Sequence, residues 1–293
     1  MRTTMRKSGA LTSLFALAVT VAAGAAGAVA GPAAPAAASV PGIENRVHST
    51  LANSSDKTAT ITCPDGKKVI DAGGYIQGGD GKVIMDDVFP DPALNFVNVT
   101  GLETDSYGGN WSAVASVTCA DPPPGLEWIE AQTASNSTSP KTLTVACSPG
   151  KTVLGNGYTI TGGDGEAWVD EAVPNGGPGV AATQVSLIGV EGDDFSGDWT
   201  LSGFLMCANP LPGQQVLSVT TAHADTGRVT EPQCAGLQIA TGSTAELLDG
   251  TGTVVLTEDM VIDDNRTAWA FGEVNDEPDT DWRIRSYVFC VDR

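Results

Sequence analysis

One motif occurs three times in this chain: a tryptophan followed, eight residues later, by a cysteine. The three pairs are Trp111 and Cys119, Trp199 and Cys207, and Trp282 and Cys290. Side chains alternate between the two faces of an extended strand, so an even spacing places both members of a pair on one face. The residues between them on that face are mostly apolar. We therefore predict that each motif is the core-facing side of a strand and that the three tryptophans are buried beside disulfide bonds.

The motif belongs to a longer repeat. Each tryptophan-linked cysteine has a partner that precedes it at a nearly constant distance, which predicts the bonds Cys63–Cys119, Cys147–Cys207 and Cys234–Cys290. Gly-Lys follows the first cysteine at 66–67 and 150–151, with a weaker match at Gly236-Leu237. Gly-Gly-Asp-Gly occurs at 78–81 and 162–165, and Asp-Gly-Thr-Gly at 249–252. An even number of cysteines in a chain with a secretory signal is typical of a disulfide framework.

Pro-Gly pairs mark the joints between the copies, at Pro41-Gly42, Pro124-Gly125 and Pro212-Gly213. The chain is thus divided into repeat one (41–123), repeat two (124–211) and repeat three (212–293). Short runs rich in Val, Ile and Thr, separated by Gly, Asp, Asn and Pro, predict strands throughout each repeat.

We expect an all-β fold in which three disulfide-bonded repeats pack with pseudo-threefold symmetry, as in a β-prism. The Trp strands carry apolar residues on both faces, for example Phe204 and Met206, and such strands are usually buried on both sides. Three separate small β-sandwich domains are the alternative.

Residues 1–38 are predicted to be a secretory signal peptide. Arg2, Arg6 and Lys7 precede an uncharged apolar run, and Ala36-Ala37-Ala38 is a small-residue cleavage signal. Ala28-Val29-Ala30 is a second candidate cleavage site, and an uncleaved anchor is the alternative interpretation. We expect a secreted, extracellular protein with no membrane contact after cleavage.

The acidic composition limits the choice of partners. The chain has a formal net charge of −20, and removal of the signal takes away three basic residues and no acids, which leaves −23. Such a chain is a poor ligand for nucleic acid, whose phosphates need Lys and Arg. A simpler interpretation of the charge is solubility, and a monomer is favoured.

The pattern S…K-T-x-T-x-x-C…G-K-x-V-x-G-x-G…G-x-G…W-x7-C resembles a Cys-containing β repeat of uncharacterised secreted actinobacterial proteins. Repeat two carries it most fully, with Ser139, Lys141-Thr142, Gly155, Gly157 and the residues named above. Similar units end collagen-like and phage-associated chains. The threefold plan is also similar to the β-prism of vitelline membrane outer layer protein. The resemblance implies architecture and export and gives no activity.

Catalytic signatures are scarce. His48 and His223 fall at different places in their repeats, and His223-Ala224-Asp225 is interpreted as a surface loop rather than a base with its orienting acid. The acidic pairs Asp86-Asp87, Asp170-Glu171 and Glu258-Asp259 invite a glycosidase hypothesis. Neighbours on a strand point to opposite faces, so only carboxylates from different repeats could flank one substrate.

Two kinds of binding site remain as hypotheses. Asp80 and Asp164 in the Gly-Gly-Asp-Gly segments, with Asp87 and Glu171, could bind Ca²⁺, although Asp-Gly is also a common hairpin turn. We expect the plain turn and no cofactor. Trp128, Trp168 and Trp269 are not matched between copies and are the candidate surface residues for a ligand, and partial burial at a joint between repeats is an equal alternative.

The sequence therefore favours a secreted, non-enzymatic binding or structural protein whose partner is a carbohydrate or a protein surface. The alternative is an extracellular glycosidase-like hydrolase that uses carboxylates from different repeats.

Overall fold

The computed structural model describes residues 40–104, 107–192, 195–222, 227–250, 252–262, 265–275 and 282–293. The predicted signal peptide and His223-Ala224-Asp225 lie outside these residues. No helix in the described ranges is long and apolar enough to span a membrane.

The described residues form eighteen strands and no helix, which confirms the all-β prediction. The strands are β1 (Glu44–Ser49), β2 (Lys57–Thr62), β3 (Lys68–Gln77), β4 (Val83–Pro90), β5 (Phe96–Glu103), β6 (Ser112–Ala120), β7 (Glu127–Gln132), β8 (Lys141–Ala146), β9 (Thr152–Thr161), β10 (Ala167–Pro174), β11 (Gln184–Glu191), β12 (Thr200–Ala208), β13 (Gln215–Thr220), β14 (Arg228–Thr230), β15 (Ile239–Leu248), β16 (Val254–Val261), β17 (Ala268–Val274) and β18 (Arg283–Val291).

The strands form three six-stranded antiparallel sheets, and each sheet is shared by two repeats. The first sheet, of repeats one and two, has the order β2-β5-β4-β9-β12-β7. The second sheet, of repeats three and two, has the order β13-β18-β15-β10-β11-β8. The third sheet, of repeats one and three, has the order β1-β6-β3-β16-β17-β14. This cyclic sharing is the predicted threefold packing. The alternative of three separate sandwiches is wrong because every sheet crosses from one repeat to another.

The repeats join at short seams in the middle of each sheet. Asp87 pairs with Thr159 in the first sheet, Glu171 with Glu246 in the second, and Glu258 with Tyr75 in the third. A register shift precedes the acid in each of the three strands. Because a bulge bends its strand, it lets the strand leave its own repeat and pair with the next one.

Three equivalent strands, β3, β9 and β15, contact one another where the repeats converge. The Asp71 carboxylate lies there, fully buried, and accepts hydrogen bonds from the backbone N–H groups of Asn156 (3.2 Å) and Ser243 (3.3 Å). The equivalent positions in the other repeats are Gly155 and Gly242. A Cβ on Gly155 would lie 2.3 Å from the Asp71 Oδ1 atom, so the centre has room for one carboxylate only.

The disulfides and the tryptophans occupy opposite ends of the same strands. The three predicted disulfides are present, and Trp111, Trp199 and Trp282 are each 0% exposed. The prediction that each tryptophan lies beside its disulfide is wrong. Trp111 immediately precedes β6, whereas Cys119 lies near the end of β6, and eight residues of strand span about 26 Å. The ring of Trp111 packs instead over Gly101 of the facing sheet.

Candidate functional site

The three tryptophans predicted to face solvent lie in three different sheets and form no common surface. Trp168 on β10 is only 2% exposed and packs with Ile84, Val190 and Val255, so its prediction as a surface residue is wrong. It occupies the position equivalent to Ile84 and Val255, where the repeats bury an apolar side chain.

Trp128 on β7 is partly buried at the joint between repeats one and two. Its ring stacks on Phe204 with centroids 5.4 Å apart, and its Nε1–H donates to the Pro90 carbonyl at 3.1 Å. One ring face and the N–H group are therefore used within the protein, which is typical of a structural tryptophan.

The candidate calcium ligands do not converge. Asp80 and Asp164 adopt left-handed backbone conformations, each followed by a glycine with positive φ, as a tight turn requires. The turn of repeat one docks on repeat three, where the Gly81 N–H donates to Glu273 Oε2 at 3.1 Å. Asp87 and Glu171 lie in two different seams. Among the described residues no group of three or more His, Cys, Asp or Glu side chains is arranged to hold a metal ion.

The first two acidic pairs are divided between the inside and the outside of their sheets, as strand alternation predicts: Asp86 and Asp170 are buried, whereas Asp87 and Glu171 are partly exposed. In the third pair both Glu258 and Asp259 are partly exposed, although the Asp259 Oδ1 atom is buried. Burial, with the charge of Asp87 second, raises the pKa of Asp86 to about 8. Burial likewise raises the pKa of Asp259 to about 7.

The outward acid of the third sheet is surrounded by aromatic side chains. Glu258 on β16 lies directly opposite Tyr75 on β3 and Phe271 on β17. Trp269, two residues before Phe271 on the same face, donates its Nε1–H to Glu258 Oε2. Met260 lies opposite Trp269. We call these five residues, Tyr75, Glu258, Met260, Trp269 and Phe271, the aromatic face.

All five residues of the aromatic face are partly exposed. None of the three rings takes part in a ring–ring stacking contact between described residues. Burial raises the pKa of Glu258, an effect that the Trp269 hydrogen bond opposes and the charge of Glu273 reinforces. Burial, and then the Glu258 charge, raise the pKa of Tyr75. The face therefore combines accessible rings with a carboxylate that is half removed from water.

The equivalent positions in the other sheets have different chemistry. In the first sheet, Asp87 lies between Thr100 and Thr159. In the second, Glu171 lies between Ile188 and Glu246. Among the described residues, aromatic side chains lie directly opposite the seam acid only in the third sheet.

A surface groove of about 620 Å³ adjoins the aromatic face at the β14 edge of the third sheet. Phe271 belongs to both surfaces, and Val229, which pairs with Phe271, lines the groove together with Val219 and Thr221. Val219 and Val229 are 45% and 40% exposed. The accessible apolar surface thus continues beyond the seam.

The second sheet brings together two carboxylates from different repeats. Glu246 is buried and forms an ion pair with Arg285 at 2.7 Å and accepts a hydrogen bond from the Tyr287 hydroxyl at 2.5 Å. Glu171, directly opposite, has a pKa raised by burial and by the charge of Glu246. Two carboxyl groups with different environments are the arrangement that acid–base chemistry requires.

The chain matches no protein-family model, and no curated protein matches it significantly. Its candidate sites are therefore defined by geometry and chemistry alone.

Proposed function

We propose that this protein is a secreted, non-enzymatic carbohydrate-binding protein and that its ligand stacks on the aromatic face. The observation that carries the proposal is the cluster of three partly exposed rings around Glu258. The hydrocarbon side of a sugar ring packs well on an aromatic face, while a nearby carboxylate accepts hydrogen bonds from sugar hydroxyl groups.

Export is part of the proposal. Three disulfides are typical of proteins that fold in an oxidising compartment. The predicted signal peptide supplies a route to that compartment.

The test is a glycan-binding screen of the purified mature protein, followed by titration of Trp269→Ala and Phe271→Ala. We expect each variant to weaken sugar binding by tenfold or more, because each removes a stacking surface. Thr100→Ala is the matched control, since Thr100 holds the position of Phe271 in the first sheet. A glycan bound equally by wild type and both aromatic variants would overturn the assignment to this face, and capture of a protein but no glycan would favour a protein surface as the partner.

The Glu171–Glu246 pair supports a second candidate function, an extracellular glycoside hydrolase. Directly opposite residues in antiparallel strands have Cα atoms about 4.5–5.5 Å apart and project their side chains on the same face, so the two carboxyl groups lie on one side of the sheet, as the two carboxyl groups of a glycosidase flank one substrate. Hydrolysis of a polysaccharide that disappears in Glu171→Gln would establish this alternative. The same turnover in Glu171→Gln would exclude this pair.

A further inference from the structure

Glu258 forms no ion pair with a basic side chain of the described residues. The ion pairs between described residues involve Glu44, Glu127, Asp249 and Glu246. Glu258 forms its hydrogen bond with the neutral indole of Trp269. A carboxylate that is partly removed from water and lacks a counter-charge gains strongly from an incoming cation.

The rings beside Glu258 favour the same kind of ligand. The faces of Trp, Tyr and Phe carry negative partial charge and attract ammonium groups within about 6 Å of the ring centre. Tyr75 and Phe271 lie on neighbouring strands at either side of Glu258. An ammonium group placed over Glu258 would therefore contact the carboxylate and lie close to the rings.

The net negative charge of the whole molecule also favours a cationic ligand. With a net charge of −20, or −23 once the predicted signal is removed, the protein attracts cations over a distance of about a Debye length and repels uronic acids and sulfated sugars. Neutral sugars are neither attracted nor repelled by this field.

We propose that the aromatic face selects a cationic amino sugar, with its ammonium group against the Glu258 carboxylate and its sugar ring stacked on the neighbouring aromatic side chains. This inference rests on the proposed carbohydrate-binding function and adds the chemical class of the ligand. An N-acetylated sugar of the same size lacks the charge and fills the space above Glu258 with a neutral amide.

The experiment compares two oligosaccharides of equal length, one of glucosamine and one of N-acetylglucosamine, by calorimetric titration at about pH 6, where Glu258 and the amine can both be charged. We expect the wild type to prefer the glucosamine oligomer by about tenfold. Glu258→Gln should remove this preference while retaining the weaker binding that the rings provide. Trp269→Ala should weaken both ligands. Asp87→Asn, which changes the equivalent acid of the first sheet, should retain the preference.

The outcomes separate the two proposals. Equal or tighter binding of the acetylated oligomer, or an unchanged preference in Glu258→Gln, would overturn the amino-sugar inference and leave carbohydrate binding intact. Competition by the linear polyamine spermine as strong as that by the glucosamine oligomer would also overturn it, because general charge attraction would then explain the result. Binding of neither oligomer, nor of any other glycan, would overturn the proposed function itself.

Discussion

Repeats two and three hold the same backbone with different polar contacts. At the joint before repeat two, Lys151 contacts the Glu127 carboxylate and the Gly125 carbonyl. At the joint before repeat three, Gln238 accepts a hydrogen bond from Gln215 and donates one to the Gly213 carbonyl. An ion pair in one repeat is therefore an amide pair in the other.

The same difference appears at the buried tryptophans. Trp199 donates its Nε1–H to Glu191, and the Lys141 ammonium lies 4.8 Å from its ring centre. The Nε1–H of Trp282 is buried without an acceptor among the described residues. In repeat three the position of Glu191 is occupied by Val274. Val274 pairs with Val254, and Glu191 pairs with the equivalent residue, Ala167. The comparison teaches that packing and disulfides specify the fold, while these polar contacts adjust its stability.

Removal of a buried tryptophan is the strongest test of that conclusion. We expect Trp199→Ala and Trp282→Ala each to lower the free energy of unfolding by about 3–5 kcal/mol, because each leaves a large cavity. Denaturant unfolding of the purified variants measures the loss, and secretion or protease resistance should fall with it. A Trp199→Ala variant with an unchanged melting temperature would contradict the role of packing.

Carboxyl groups next to the seams supply a second difference, in this case between repeats one and three. Asp86 is the bulged residue of β4, whereas its equivalent in β16 is Thr257. A carboxyl whose pKa is higher in the folded than in the unfolded protein stabilises the fold below the unfolded-state pKa of about 3.9, and this stabilisation is lost as the pH rises through the folded-state value. The relevant folded-state pKa values are about 8 for Asp86 and about 7 for Asp259.

We therefore expect the titration of Asp86 alone to lower the free energy of unfolding by on the order of 2–4 kcal/mol between about pH 5 and about pH 8. Asp86→Thr introduces the residue type that repeat three has at the equivalent position, Thr257. This variant should lose less free energy of unfolding as the pH rises towards 8. Asp65→Asn, at an exposed turn, should leave the profile unchanged. Stability that is constant or rises over this range would show that the buried carboxyl groups do not titrate as proposed.

The sequence predicted the architecture better than the site. Repetition was sufficient to pair the cysteines and to place the tryptophans in the core. It did not locate the aromatic face, because Tyr75 comes from repeat one and Phe271 from repeat three, and only the closed threefold arrangement joins them. The one local signal was the alternation Trp269-x-Phe271, which places two rings on one side of a strand.

Two errors have simple physical causes. Trp168 was unmatched in residue type, but its position is buried in every repeat, so a difference between copies does not indicate exposure. Leu237 was aligned with Lys67 and Lys151, whereas the structure gives their role to Gln238, which reaches the equivalent glycine carbonyl. Aligning the repeats by sequence alone therefore missed Gln238, because repeat three uses an amide where the other two repeats use a lysine.

A conservative substitution sharpens the tryptophan comparison. Trp199→Phe and Trp282→Phe remove similar ring volume, but only the first removes a hydrogen bond to a carboxylate. We expect Trp199→Phe to cost about 1–2 kcal/mol more than Trp282→Phe, because Glu191 loses its donor while Trp282 loses an N–H without a described partner. Thermal unfolding of both variants measures the difference, and equal losses would show that the Trp199 hydrogen bond adds no net stability.

The smallest expected effect comes from converting the joint of repeat two into that of repeat three. The Lys151–Glu127 pair is partly exposed, and such ion pairs contribute about 0.2–1 kcal/mol. The double variant Glu127→Gln/Lys151→Gln should therefore unfold within about 1 kcal/mol of the wild type, and the difference should shrink at high salt because exposed charges are screened. Lys151→Gln alone should cost at least as much as the double variant, since it leaves Glu127 without its cation.

The reverse change, Gln215→Glu/Gln238→Lys, should raise the stability of repeat three by a similar amount. A loss well above 2 kcal/mol in the double variant at repeat two would mean that the ion pair helps to specify the joint, and that the amide pair of repeat three depends on neighbouring residues that repeat two lacks.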